Sequence, residues 1–102
     1  MIKQGAKIQG LQPEMVLACI LIKPILAKYK QDFVITEGTG GEHSQKSRHY
    51  IGYAVDVRTR DIANDAEKIR MSNEVRSVLG DEYYIKLHET HLHIQFNGSV
   101  NL

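Results

Sequence analysis

Apolar side chains recur at helical spacing early in the chain. Met15, Cys19, Ile22, Leu26 and Tyr29 form a stripe behind Pro13. Proline suits a first helical turn, where its missing N–H has no intrahelical partner to lose. Pro24 interrupts the stripe and predicts a kink, or a break into two short helices, near Lys23. The period then shortens to two. Phe33 to Thr36 is aromatic and β-branched and reads as a strand. Gly38 to Gly41 follows as a flexible loop, and the polar stretch from Glu42 to Tyr50 as an irregular one. Tyr53 to Arg58 is a second strand, with Val55 and Val57 on one face and Ala54, Asp56 and Arg58 on the other.

Asn64 is placed to cap a helix over about residues 65–79, with Gly80 just past its end. Its apolar pattern is imperfect, because Ala66 and Ile69 do not share a face with Val75 and Val78. The remainder reads as a hairpin: Tyr83 to His88, a tight Glu89-Thr90 turn, and His91 to Phe96. Leu92, Ile94 and Phe96 alternate with His91, His93 and Gln95, and a two-residue turn sets His88 across from His91. The order helix, strand, strand, helix, strand, strand predicts an α+β domain, a small antiparallel sheet with helices packed on its apolar face.

At 102 residues the chain suits one domain, residues 1–102, with a modest stability margin that a bound metal would widen. A formal charge of +1 lacks the basic excess of a nucleic-acid binder, and no nucleic-acid partner is expected. No apolar run reaches membrane-spanning length and no signal-peptide core is visible, so the expectation is a monomer, not inserted in a membrane and cytoplasmic as synthesised. Cys19 is the single cysteine; it rules out an internal disulfide and leaves histidine and carboxylate as metal-binding chemistry.

Four of the five histidines are His49, His88, His91 and His93, and Asp56 follows His49 by seven residues. Each projects from the polar face of a strand or from a loop entering one. Two imidazoles and one carboxylate make a three-ligand set, the number that catalytic zinc sites use. On spacing alone, the pattern reads slightly better as surface histidines and a solvated aspartate.

The local context adds more. Ser47-Arg48-His49-Tyr50-Ile51-Gly52-Tyr53-Ala54-Val55-Asp56 fits the pattern S-x-H-x-x-G-x-A-x-D, and His91-Leu92-His93 supplies a later H-x-H. These residues resemble the zinc D-Ala-D-Ala carboxypeptidase and L-alanyl-D-glutamate endopeptidase family, whose fold is shared by Hedgehog signalling domains. The resemblance runs from about Phe33 to Phe96 and is nearest to the shorter, phage-type members. It implies a zinc ion (Zn2+) held by His49, Asp56 and His93, with His91 beside it stabilising a tetrahedral intermediate. The implied substrate is a peptidoglycan stem peptide, reached after release by another factor.

Two departures stand out. The acid that family members place three residues before the last ligand falls on Thr90, so Glu89 is the expected general base. The arginine that larger members carry after the first strand is missing; Arg48 and His43 are candidate substitutes, although each reads better as a solvated loop residue, and substrate preference stays open. Ser47, Arg48 and His88 are the candidate substrate contacts, although Ser47 is better explained as a hydrogen-bonding partner of the loop carrying His49. The alternative is a zinc-stabilised binding or phage structural module without catalysis, and a metal-free fold with a surface histidine cluster comes third. Iron or another divalent ion is an alternative to zinc.

Overall fold

The computed structural model describes residues 2–3, 10–38 and 52–98. Helix α1 spans Pro13–Lys28, strand β1 Ile35–Glu37, β2 Ala54–Arg58, helix α2 Asp65–Leu79, β3 Tyr83–Leu87 and β4 His91–Phe96. The fold is α+β, with two helices packed on a four-stranded antiparallel sheet of order β1-β2-β4-β3. Among the described residues no helix is long and apolar enough to cross a membrane.

The alternation along β2 and β4 sets the two faces of the sheet. Val55, Val57, Leu92 and Ile94 are fully buried, and Ile85 of β3 joins them. They meet Met15, Ala18, Ile22 and Leu26 of α1 and Met71 and Val75 of α2. Asp56, His91, His93 and Gln95 alternate with these residues and take the other face, where each is half-buried.

The break expected near Lys23 does not occur, and α1 is one continuous helix through Pro24. Proline removes the N–H that would reach the Ile20 carbonyl. Pro24 and Ile20 both lie on the exposed side, where water can satisfy that oxygen. Helix α2 starts where Asn64 Oδ1 accepts from the Glu67 N–H at 2.9 Å and ends at Gly80, with φ +83°. Its core face runs through Met71 and Val75, whereas Ile69 and Val78 are exposed.

Strand β1 begins two residues later than Phe33 and carries an irregularity that determines what it presents. Ile35 pairs with Val57, yet Glu37 pairs with Asp56. Two steps on β1 therefore match one step on β2, the signature of a β-bulge. A regular ladder would set Glu37 across from Val55, in the layer facing the helices. The bulge turns it to the polar face instead. A short parallel bridge also joins Ile2 to Ile35, with the Lys3 N–H donating to the Ile35 carbonyl at 2.8 Å.

Candidate metal centre

Strands β2 and β4 pair in a register that sets Asp56 across from His93. Both side chains lie on the polar face and are only 15% and 17% exposed. Asp56 Oδ1 stands 2.9 Å from His93 Nδ1, and Asp56 Oδ2 stands 3.9 Å from His91 Nε2. One carboxylate thus turns an oxygen toward each histidine of the H-x-H. Only the contact to His93 is short enough for a hydrogen bond.

His93 is held at both nitrogens. Its Nε2 lies 3.1 Å from Gln95 Oε1, and the Gln95 amide N–H donates to Asn97 Oδ1 at 2.7 Å, which fixes the amide with its oxygen toward the ring. An imidazole between two acceptors is favoured with both nitrogens protonated. The hydrogen bond that the His93 ring donates to Asp56 is the largest cause that holds the His93 pKa above its ordinary value, with Gln95 adding to it against the opposing effect of burial.

The hairpin completes this side. The His88 N–H donates to the His91 carbonyl at 2.8 Å, closing the Glu89-Thr90 turn, and the two imidazoles stack with centroids 4.4 Å apart. Burial, then the neighbouring His91, keeps the His88 pKa below its ordinary value. Thr90 Oγ1 lies 3.4 Å from His91 Nδ1. Glu89 is exposed, and its backbone carbonyl accepts from Lys68 Nζ of α2 at 3.0 Å.

A cavity of about 380 Å3 opens beside Asp56. Strand β1 lines it with Thr36 and Glu37, β2 with Asp56 and Arg58, and the hairpin with Thr90 and His91. Lys3 and Arg60 complete the wall. Asp56, His91 and His93 stand side by side on the polar face of the sheet. Glu89 does not line the cavity, whereas Glu37 does. Ser47, Arg48 and His49 lie outside the described residues, as does His43.

Among the described residues no three His, Cys, Asp or Glu side chains form a metal-holding group. Two of the three expected ligands, Asp56 and His93, are adjacent, and the third, His49, is outside the described residues. Two donors on one tetrahedral zinc stand about 3.3 Å apart, given bonds of about 2.0–2.1 Å. The Asp56–His93 pair at 2.9 Å has only to open by a few tenths of an ångström. An ion there would replace the Nδ1 proton, while Nε2–H stays on Gln95, the outer partner that zinc-binding histidines characteristically have. The described residues thus supply two adjacent donors of the implied set, Asp56 and His93.

Gln95 and Glu37 were not singled out in the sequence. Gln95 was legible as the next same-face residue after His93. Replacing Gln95 with leucine is expected to weaken zinc binding about 10- to 100-fold, the usual cost of losing an outer partner, with unchanged stoichiometry. Competition with a chromogenic chelator measures this.

Comparison with protein-family models, with curated protein sequences and with solved structures gave no match. The family resemblance accordingly rests on the motif residues, and the chemistry of the site on the geometry above.

Proposed function

We propose that the chain is a zinc-dependent peptidase that hydrolyses amide bonds of peptidoglycan stem peptides, with the Hedgehog/DD-peptidase-like fold that its motifs resemble. The observation that carries this reading is the pairing of Asp56 and His93 across two strands beside a cavity large enough for a short peptide. His49 is assigned as the third ligand on the motif alone.

A divalent cation bound by these residues supplies Lewis-acid polarisation of an amide carbonyl and makes water acidic enough to act as a nucleophile near neutral pH. The protein's own residues must do the rest. Gln95 holds the His93 ring in place. His91 has a nitrogen on the cavity side of Asp56, where it can donate to a developing oxyanion. A carboxylate must move a proton from water to the departing amine. Glu37 stands in the cavity wall across from Asp56 and is the first choice for that role; Glu89, in the adjoining turn, is the second.

The second reading, a zinc-stabilised module without catalysis, draws on one observation. Thr90 occupies the family's acid position, and the carboxylate next to it in sequence does not line the cavity. One set of measurements separates the two readings. Purified protein should contain zinc by elemental analysis and release fragments from muropeptides. A chelator should stop turnover and added zinc restore it. Glu37→Gln should lose turnover while keeping its zinc, and Glu89→Gln should retain most activity. The opposite pattern returns the acid–base role to Glu89. Zinc binding without turnover on any stem peptide favours the inactive module.

A further inference from the structure

Helix α1 is apolar on both of its faces. Met15, Ala18, Ile22 and Leu26 fill the core. On the opposite face stand Val16, Leu17, Ile20, Leu21 and Pro24, and the first four are 45%, 52%, 64% and 38% exposed. Helix α2 has the ordinary pattern. Opposite Met71 and Val75 it shows Ala66, Arg70, Asn73 and Ser77 to water. A helix that is apolar all round is normally covered on every side, and a contiguous apolar patch of this kind marks a contact surface. The patch runs on from Leu21 to Ile25, which lines a groove of about 460 Å3 between the two helices together with Val78.

The charges around this face differ at its two ends. Lys23, Lys28 and Lys30 stand exposed toward the C-terminal end, with Lys28 shared by Glu74 of α2 at 2.6 Å. Glu14 lies in the first turn, and exposed Asp81 and Glu82 lead into β3 beside it. The Tyr83 hydroxyl donates to the Glu14 carbonyl at 2.7 Å, and burial, then Glu14 and Glu82, raises the Tyr83 pKa. An apolar face with one acidic end and one basic end is complementary to itself run in the opposite direction. An anionic bilayer would meet the acids as well as the lysines and suits it less.

We propose that α1 packs on α1 of a second copy, antiparallel about a two-fold axis near Ile20, forming a homodimer in place of the monomer expected from the sequence. Such an interface uses the same patch on both chains. Val16, Ile20 and Pro24 form a ridge of residues four apart, the kind that two helices interlock. In this register Ile20 meets its own copy, Val16 meets the partner's Pro24, and the lysine end of one helix lies along the acidic end of the other. The helices cover one side of the sheet and Asp56, His91 and His93 the other, so both cavities stay open. Nothing in this depends on the peptidase reading. One helix face about 24 Å long buries less than the ~800 Å2 per partner of a standard interface, so a dissociation constant of about 1–100 μM is expected.

Sedimentation velocity of the full chain, from about 1 μM to about 0.5 mM, reads this equilibrium. The mass should rise from one chain to two across the range. Ile20→Lys sets like charges against each other at the axis and should weaken association at least about 100-fold, with the fold unchanged by circular dichroism because Ile20 is exposed. Ala66→Lys, on the exposed face of α2, should leave association intact. Register is read separately. In a Cys19→Ala background, Ile20→Cys should give a disulfide-linked dimer on mild oxidation, and Pro24→Cys should not. A single-chain mass at every concentration overturns the proposal and needs no variant to fold; binding of that monomer to phosphatidylglycerol vesicles would then assign the face to lipid. A dimer that persists in Ile20→Lys overturns it as well, because another surface then joins the copies. Linkage through Pro24→Cys in preference to Ile20→Cys overturns the antiparallel register.

Discussion

Replacing His93 with glutamine is expected to abolish tight zinc binding, as is replacing Asp56 with asparagine. Each variant removes one of two donors that stand 2.9 Å apart. Loss of an outer partner already costs about 10- to 100-fold in metal affinity, so loss of a direct ligand should exceed about 100-fold. His91→Gln provides the contrast. Its Nε2 is 3.9 Å from the Asp56 carboxylate, and its role here is in the cavity, so affinity should change little while turnover falls. His49→Gln should behave as His93→Gln does if the motif assigns the third ligand correctly. Elemental analysis and chelator competition on the four variants measure these effects. The expected order of zinc affinity is unsubstituted protein and His91→Gln together, then the other three far below. A His93→Gln protein that keeps its zinc at full affinity would sink the metal centre. Lowering the pH should weaken zinc binding to the unsubstituted protein, because the metal must displace the Nδ1 proton that Asp56 stabilises.

Replacing Gly52 with alanine is expected to cost about 2–5 kcal/mol of folding stability, from two separable causes. Gly52 has φ +84°, a left-handed conformation that strains an L-residue by roughly 1–2 kcal/mol. An added Cβ would also collide with the Gly10 carbonyl oxygen, a backbone atom that cannot swing aside as a side-chain tip can. Relieving overpacking of this kind costs about 1–3 kcal/mol more. The two segments are already tied, since the Gln12 N–H donates to the Gly52 carbonyl at 3.0 Å. Gly80 has nearly the same φ, +83°, with nothing within 4 Å of an added Cβ. Gly80→Ala should therefore show the strain alone, about 1–2 kcal/mol. In thermal unfolding Gly52→Ala should lose more than about 10 °C, and clearly more than Gly80→Ala. Equal losses would remove the collision from the argument.

Much of this arrangement was legible in the sequence where the signal is local. The alternation of Val55 and Val57 with Asp56 and Arg58 set the faces of β2. The H-x-H and its two-residue turn predicted the hairpin, and Asn64 and Gly80 marked the ends of α2. Each of these depends on residues a few positions apart. The features that stayed hidden depend on distant pairing. Nothing near Ile2 signals that it bridges Ile35 and so carries Lys3 to the cavity. The continuity of α1 through Pro24 depends on which side of the helix faces water. Glu37 was hidden for a different reason, because period-two reading from Ile35 assigns it to the face where the helices pack. The candidate site was half visible: Asp56, His91 and His93 by their shared face, but not Gln95 behind His93 or the cationic wall around Arg58. His49, Ser47 and Arg48 rest on the motif.

The bulge in β1 gives Glu37 its position by counting residues rather than by choosing them. Substituting Thr36 leaves the carboxylate in the cavity wall. Deleting Thr36 would make Glu37 the direct successor of Ile35, and a regular ladder would then hold it across from Asp56 on the same polar face with no bulge at all.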